Sequence, residues 1–347
     1  MKVVSHPTKI RDLMQTTLCD TLNLNRSTDT IRRTDIHPVI ISASRATDIP
    51  AWYMDWFMDR LQKGYIIWVN PYRPTHHQIV RFDATRIIVF WTKNPAPLIP
   101  YISELEENGY YFYVHVTLND YEREGIEPNL PSYRDRIRSC IELSHQIGRD
   151  RVIWRYDPII MIDSLSVQEL INRIENIGDQ IALHVNRMIF SFVQIARYKN
   201  VRSSLMRHMD TDIREPTVIE REVILQALFA LSQKWNIPIE ACGEASDYSS
   251  YGIKKAQCIN PNLLVQICAD DTDLCGYIMK NKKKDPGQRA TCTCIRAKDI
   301  GQYSTCMHLC HYCYANRDEK LVYRRYREHL EAFKKGIDLP SIVFDSH

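Results

Sequence analysis

Ile87-Ile-Val-Phe-Trp91, Tyr111-Phe-Tyr-Val-His-Val116 and Val152-Ile-Trp154 decide the fold. Each is a short run of β-branched and aromatic side chains, the composition of a strand. A helix candidate, Tyr133–Ile147, separates the last two. Working outward, Val39–Ser42, Tyr65–Val69, Met188–Val193, Ile237–Ala241 and Leu263–Cys268 read as further strands. Trp52–Gln62, Ser166–Ile177 and Glu220–Trp235 read as further helices. In Trp52–Gln62 the apolar Trp52, Tyr53, Trp56, Phe57 and Leu61 recur at three- and four-residue spacing, as packing on a sheet requires. Strands alternating with helices predict an α/β fold with a mainly parallel sheet. Its crossovers coil the chain into a barrel, a partial barrel or an open doubly wound sheet. About six to eight strands favour the barrel-like form, a (β/α) architecture like a TIM barrel. The expected organisation is a peripheral extension over residues 1–36, a β/α domain over 37–280, and a cysteine-rich segment with a C-terminal helix over 281–347.

The chain has 347 residues, 44 % hydrophobic and 25 % charged. That balance excludes a disordered chain. A net charge of +3, from 45 basic and 42 acidic residues, is too weak to argue for nucleic acid. No apolar run approaches the roughly 20 residues needed to span a bilayer, so no membrane role is expected. Residues 1–20 show no secretory pattern, and a cytoplasmic location is expected.

Polar residues gather just after the strand candidates. Ser42, Ser44, Arg45 and Asp48 follow the first. Lys93 follows Trp91, Arg155 and Asp157 follow Trp154, and Glu244 follows Ala241. In parallel β/α folds, sites are built where the C-terminal strand ends meet. Arg45, Lys93, Arg155, Asp157 and Glu244 are therefore the candidate catalytic residues. The cations suit a carboxylate or phosphate, and the carboxylates suit proton transfer. Asp48 also reads as the N-cap of the following helix.

Eleven cysteines, an odd number, argue against a disulfide framework and for a thiolate-bound metal. Cys306-Met-His-Leu-Cys310-His-Tyr-Cys313 is a C-x3-C-x2-C array. Three thiolates on one tight loop can each take one iron of a [4Fe-4S] cubane, which leaves a fourth iron open. Zinc competes, with His308 or His311 completing four ligands. Cys292-Thr-Cys294 puts two sulfurs on one face of an extended segment. With Cys242 and Cys258 they would make a second site, iron–sulfur or zinc. Alternatively, one of the pair would be the fourth ligand of the first cluster.

The array resembles the signature of radical S-adenosylmethionine enzymes, in which an aromatic precedes the third cysteine, as Tyr312 does. Cys306 to Asn316 is particularly similar to the motif of spore photoproduct lyase. The resemblance implies a [4Fe-4S] cluster on Cys306, Cys310 and Cys313, S-adenosylmethionine on the open iron, and an external electron donor. It places Ser42, Ser44 and Tyr312 near the cofactor. More widely, residues from about Val39 to Asn316 resemble the domain-of-unknown-function family 1848. Ser42-Ala-Ser-Arg-Ala-Thr-Asp48-Ile-Pro50, Phe90-Trp-Thr-Lys-Asn-Pro95, Trp154-Arg-Tyr-Asp-Pro158 and Asp299-Ile-Gly301 carry that likeness. The radical enzymes carry the cysteine loop after the first strand, and here it comes last. A circular permutation would reconcile the two, with Leu263–Cys268 acting as the first strand. Ser42–Arg45 then stands where that superfamily has Gly-Gly-Glu, which this chain lacks there; Gly243–Glu244 resembles a fragment of it at another strand.

Three functional readings result. The first is an iron–sulfur, radical-type enzyme acting on an anionic small molecule. The second is a zinc or iron–sulfur protein that binds nucleic acid without catalysis. The third, a lesion-repair enzyme on a nucleic-acid-derived substrate, joins them. The basic run Lys280-Asn-Lys-Lys-Lys284 reads as a solvated loop, and His76–His77 as a loop feature.

Overall fold

The computed structural model describes residues 32–343. Most of the expected extension lies outside them. Its last five residues, Arg32–Ile36, form a strand.

Eight strands make the main sheet. They are β1 (Ile40–Ala43), β2 (Ile87–Thr92), β3 (Tyr111–Thr117), β4 (Val152–Ile159), β5 (Arg187–Phe192), β6 (Ile239–Ala241), β7 (Lys254–Lys255) and β8 (Lys298–Asp299). Across the sheet the order is β7-β6-β5-β4-β3-β2-β1-β8, and every pair is parallel. From β1 to β7 each strand lies beside its predecessor. A doubly wound sheet reverses direction in its middle, so that alternative is excluded. Only β8 breaks the sequence, returning from the C-terminal part of the chain to the edge beside β1. β7 and β8 do not pair, so among the described residues the sheet is open.

Parallel neighbours require crossovers, and helices supply them. Tyr133–Ile147 starts on the Ser132 hydroxyl and Val167–Ile181 on that of Ser166. Val218–Trp235 begins with a Thr217–Glu220 capping box. These helices bury Ile137, Leu143, Leu170, Ile174, Ile224 and Leu228 against Phe90, Phe112, Val114, Val116, Trp154 and Phe190 of the strands. Strand side chains alternate, so the intervening residues face the other way. Ile87, Val89, Tyr113, Ile153 and Ile189 meet a second core formed by residues 256–295, including Cys258, Ile259, Leu263, Leu264 and Ile295. The opposite face is therefore plugged near the N-terminal strand ends and polar near the C-terminal ends.

Leu263–Cys268 is not a strand. It lies in the helix Pro261–Ile267, started by the Asn260 side chain with Pro261 in the first turn. A short apolar run does not distinguish a strand from a buried helix, and Asn260-Pro261 was the deciding signal. The strand at the sheet edge is instead β8. Tyr65–Val69 is a strand, Tyr65–Asn70, but it belongs to a separate three-stranded sheet with Arg73–Arg81 and Arg32–Ile36. His76–His77 accordingly lie within a strand rather than a loop. Trp52–Gln62 is split at Tyr53 into Ile49–Trp52 and Met54–Lys63. Among the described residues no helix is long and apolar enough to cross a membrane.

Candidate functional site

A cavity of about 1020 Å³ opens over the C-terminal ends of the main strands. Period-two alternation builds its floor. Trp91 of β2, Thr117 of β3, Arg155 and Asp157 of β4, Ser191 of β5 and Cys242 just past β6 all line it. Cys306, Cys310 and Cys313 line its roof, and Cys258, Cys292 and Cys294 a wall.

One side is closed by a compensated polar network. The Lys93 ammonium donates to Glu127 Oε1 at 2.7 Å and to the Tyr312 hydroxyl at 2.8 Å. Tyr312 donates to the same carboxylate oxygen, and Asn119 Nδ2 reaches it at 3.1 Å. Burial pushes the Glu127 carboxyl up, but Lys93 and then Arg136 outweigh it and hold the pKa below the ordinary value. Lys93 is likewise held charged, against burial, by Glu127.

The other side holds guanidinium groups and thiols. Arg155 donates to Asp157 and, through Nη1, to Cys258 Sγ at 3.2 Å. Asp157 also accepts from Ser191. Arg155 and Arg45 lie 5.1 and 5.2 Å from the Trp91 ring centroid, and His115 stacks on that ring at 4.1 Å. Both Nη atoms of Arg45 are shut off from solvent without a hydrogen-bond partner. Its nearest carboxylate, Asp299, is 4.0 Å away.

Asp299 ties β8 to β1. It accepts from Ser42 Oγ at 3.1 Å, from the Arg45 amide at 2.9 Å and from the Gly301 amide at 3.0 Å. A Cβ on Gly301 would stand 1.8 Å from Ser44 Oγ, so only glycine lets the chain pass here. The Asp299-Ile-Gly301 and Ser42–Asp48 segments are thus two halves of one junction.

The cysteine loop is pinned at many points. Thr47 Oγ1 bonds the Gln302 carbonyl at 2.8 Å, and Tyr53 donates to the Thr305 carbonyl at 2.8 Å. Asn316 Nδ2 holds the Cys306 carbonyl at 2.8 Å, and Asn129 Nδ2 the Met307 carbonyl at 2.8 Å. Burial raises Cys306 to about 12, and raises Cys310 and Cys313 as well. Loading a metal must therefore displace protons from all three. His308 is not free to complete a zinc site: Nε2 is 2.7 Å from Asp48 Oδ2 and Nδ1 is 3.3 Å from the Asn129 carbonyl. His311 stacks on His208 at 4.3 Å in a separate small cavity. Among the described residues no three His, Cys, Asp or Glu side chains close on a single ion. Cys306, Cys310 and Cys313 thus share the cavity without either histidine of the loop turned to them.

Of the predicted site residues, Ser44, Arg45, Lys93, Arg155, Asp157, Tyr312 and all seven cysteines share this cavity. Ser42 and Glu244 do not line it. Ser42 is spent on Asp299, while Glu244 accepts from the Phe192 amide at 3.0 Å and so anchors the end of β5. Ser44 Oγ caps its own turn, accepting from the amides of Ala46 and Thr47. Sequence reading missed Glu127, Trp91 and Arg289 as site residues. Glu127 sits far along the loop between β3 and the helix Tyr133–Ile147, away from the strand end itself, and Arg289 gains its position through Gly243, where a Cβ would meet its guanidinium at 2.8 Å. The basic run 280–284 contributes nothing to the cavity lining.

A family model described as a domain of unknown function, DUF1848, matches residues 40–315. No curated protein matches the chain. Two solved structures are similar to it at a low level. A putative alpha-L-fucosidase from Bacteroides thetaiotaomicron is 13 % identical, with 92 % of this chain and 99 % of that one covered and a TM-score of 0.27. D-psicose 3-epimerase from Clostridium cellulolyticum H10, solved with D-tagatose, is 10 % identical, with 87 % and 98 % covered and a TM-score of 0.34.

Proposed function

The chain belongs to the DUF1848 family, and from that premise we propose that it is an iron–sulfur enzyme of the radical S-adenosylmethionine type acting on an anionic substrate. Cys306, Cys310 and Cys313 would hold the [4Fe-4S] cluster. The carrying observation is that these three thiols face a shared cavity while His308 and His311 are engaged elsewhere. Such a cluster, when bound, supplies the electron for reductive cleavage of S-adenosylmethionine.

Strand order supports the reading. The cysteine loop follows β8, and β8 lies beside β1. Along the chain β8 is followed by the cysteine loop and the helix Glu319–Lys334, and β8 pairs with β1, as in a permuted barrel whose loop follows its first strand. Ser42–Arg45 falls at the end of the second strand in that count. The open sheet winds in one direction, as a partial barrel does.

The chain's own residues have separable tasks. Arg45 offers two unpaired Nη donors to a carboxylate or phosphate. Asp157, held ionised by Arg155 and Ser191 against its burial, is placed to receive a hydrogen bond from substrate. Lys93 and Glu127 fix Tyr312, and with it the loop segment between Cys310 and Cys313.

The test is anaerobic purification, reconstitution with iron and sulfide, reduction, and electron paramagnetic resonance with and without S-adenosylmethionine. A [4Fe-4S] signal that shifts on addition and vanishes in Cys306→Ala, Cys310→Ala or Cys313→Ala is the expected result. Zinc without iron on the loop would overturn the proposal. A cluster indifferent to S-adenosylmethionine would overturn its radical part.

A further inference from the structure

Four tyrosines from three separate segments form a chain of ring contacts along the cavity. Tyr198, the residue before the helix Lys199–His208, stacks on Tyr314 with ring centroids 5.3 Å apart and planes 21° apart. Tyr314 meets Tyr303 edge-on at 6.3 Å, and Tyr303 meets Tyr72 edge-on at 6.1 Å. All four line the cavity. Asn200 Nδ2 donates to the Tyr314 carbonyl at 2.9 Å, which ties the first pair through the backbone as well. Burial does not account for these rings. Tyr72 is 72 % exposed and Tyr314 39 %, and none of the four packs against either apolar core. A cluster of open aromatic faces at a cavity is a platform for another flat ring.

Cations interleave with the rings. The Arg317 guanidinium lies 5.7 Å from the ring centroids of both Tyr72 and Tyr303, and that of Arg197 lies 5.9 Å from Tyr198. Lys199 and Arg289 line the same cavity. Among the described residues none of these cations is ion-paired, and Arg289 reaches only the neutral Gln194 Oε1, at 3.4 Å. The carboxylates that line the cavity are engaged by other groups: Asp48 by His308, Asp157 by Arg155 and Asp299 by Ser42. This rim is therefore electropositive, although the whole chain carries only +3.

We propose that the substrate class of this cavity is a nucleoside phosphate, its base stacked on the tyrosine rim and its phosphate held by Arg317 and Arg197. A carboxylate alone would use the cations and leave the rings without a task. A neutral ring would do the reverse. The alternation of the two calls for a ligand that carries both. Guanidinium forks match pairs of phosphate oxygens, and every base has a face that stacks on tyrosine. A cavity of about 1020 Å³ has room for such a molecule. The inference deepens the proposed function by naming its substrate, and it rests on that reading only in taking this cavity as the active site.

The test is calorimetric titration of the full chain with adenosine 5′-monophosphate, before any iron is loaded and without S-adenosylmethionine. The nucleotide should bind, and adenosine and ribose 5-phosphate should each bind about tenfold more weakly or worse, since each lacks one half of the recognition. Arg317→Gln should weaken the nucleotide about tenfold and leave adenosine unchanged. Tyr198→Leu should weaken it about fivefold or more and leave ribose 5-phosphate unchanged. Misfolding would not spare one half of the ligand in this way, and Tyr72→Ala repeats the second measurement at the most exposed of the rings. A 5′-phosphorylated tetranucleotide separates the two sources of this chemistry: tighter binding than the mononucleotide supports the end of a strand, equal or weaker binding the free nucleotide. No binding of the nucleotide at about 1 mM, ribose 5-phosphate bound as tightly as the nucleotide, or both variants binding like the wild type would each overturn the proposal. Nucleotide binding without a cluster signal would sink the radical chemistry and keep the substrate class, and a normal cluster signal without nucleotide binding would do the reverse.

Discussion

The two sides of the cavity treat buried charge in opposite ways. At Lys93 the ammonium is met directly: Glu127 accepts from it at 2.7 Å and lies 4.0 Å from Arg136, and Tyr312 and Asn119 bond the same carboxylate oxygen. At Arg45, the guanidinium has only a carboxylate 4.0 Å away and no hydrogen bond from either Nη. The two cations therefore differ in hydrogen bonding, Lys93 making two such bonds and the Arg45 Nη atoms none, while each has a carboxylate beside it.

Removing the counter-charge on the closed side should cost most. Glu127→Ala leaves Lys93 and Arg136 buried without compensation, and urea unfolding should register a loss of about 3–5 kcal/mol. A loss under about 1 kcal/mol would mean that solvent reaches Lys93 and that the two sides do not differ.

Acid should act next, through the helix that backs the cysteine loop. His329 is buried against Tyr53 and Trp56, its Nδ1 has no partner, and burial lowers its pKa to about 4. A folded-state pKa below the unfolded one means that the unfolded chain binds the proton first. Stability is therefore intact above pH about 6.5 and lost as pH falls towards about 4, by about 2–3 kcal/mol. His329→Leu should flatten that part of a stability-against-pH curve.

A smaller loss is expected where β8 meets β1. Gly301→Ala drives a methyl into Ser44 Oγ and should cost about 1–3 kcal/mol, with Ser44→Gly recovering part of it in the double variant. Additive losses would mean that the two segments are not in contact.

The smallest effect should have the opposite sign. Arg45→Met removes a cation whose Nη atoms make no hydrogen bond and whose carboxylate stands 4.0 Å away, and the chain should be unchanged or more stable by up to about 1 kcal/mol. Destabilisation by more than that would show that the Asp299 pair holds Arg45 as firmly as Glu127 holds Lys93, and the contrast would fail.

Local patterns made much of this molecule legible. Tyr133–Ile147 and the strands around it follow from composition and capping residues, because short-range sterics and burial act within a few residues. Arg155 and Asp157 are two apart on one strand, so period two puts both on the cavity side. The loop cysteines span eight residues, and all three line one cavity. Asp48 was read as a helix cap and is one, accepting from the Ala51 amide at 3.0 Å.

What the amino-acid sequence determined by itself is thus the parallel β/α class, the polar strand ends and the loop array. Those depend on neighbours along the chain. The tertiary structure alone decided which strand stands beside β1, since β8 is only two residues long and carries no period of its own. It also decided that Glu244 leaves the cavity while Glu127 pairs with the cavity-lining Lys93, and that Cys242, Cys258, Cys292 and Cys294 line one cavity. Such contacts join residues tens to hundreds of positions apart, and their register follows from how the two cores pack, which no local pattern encodes.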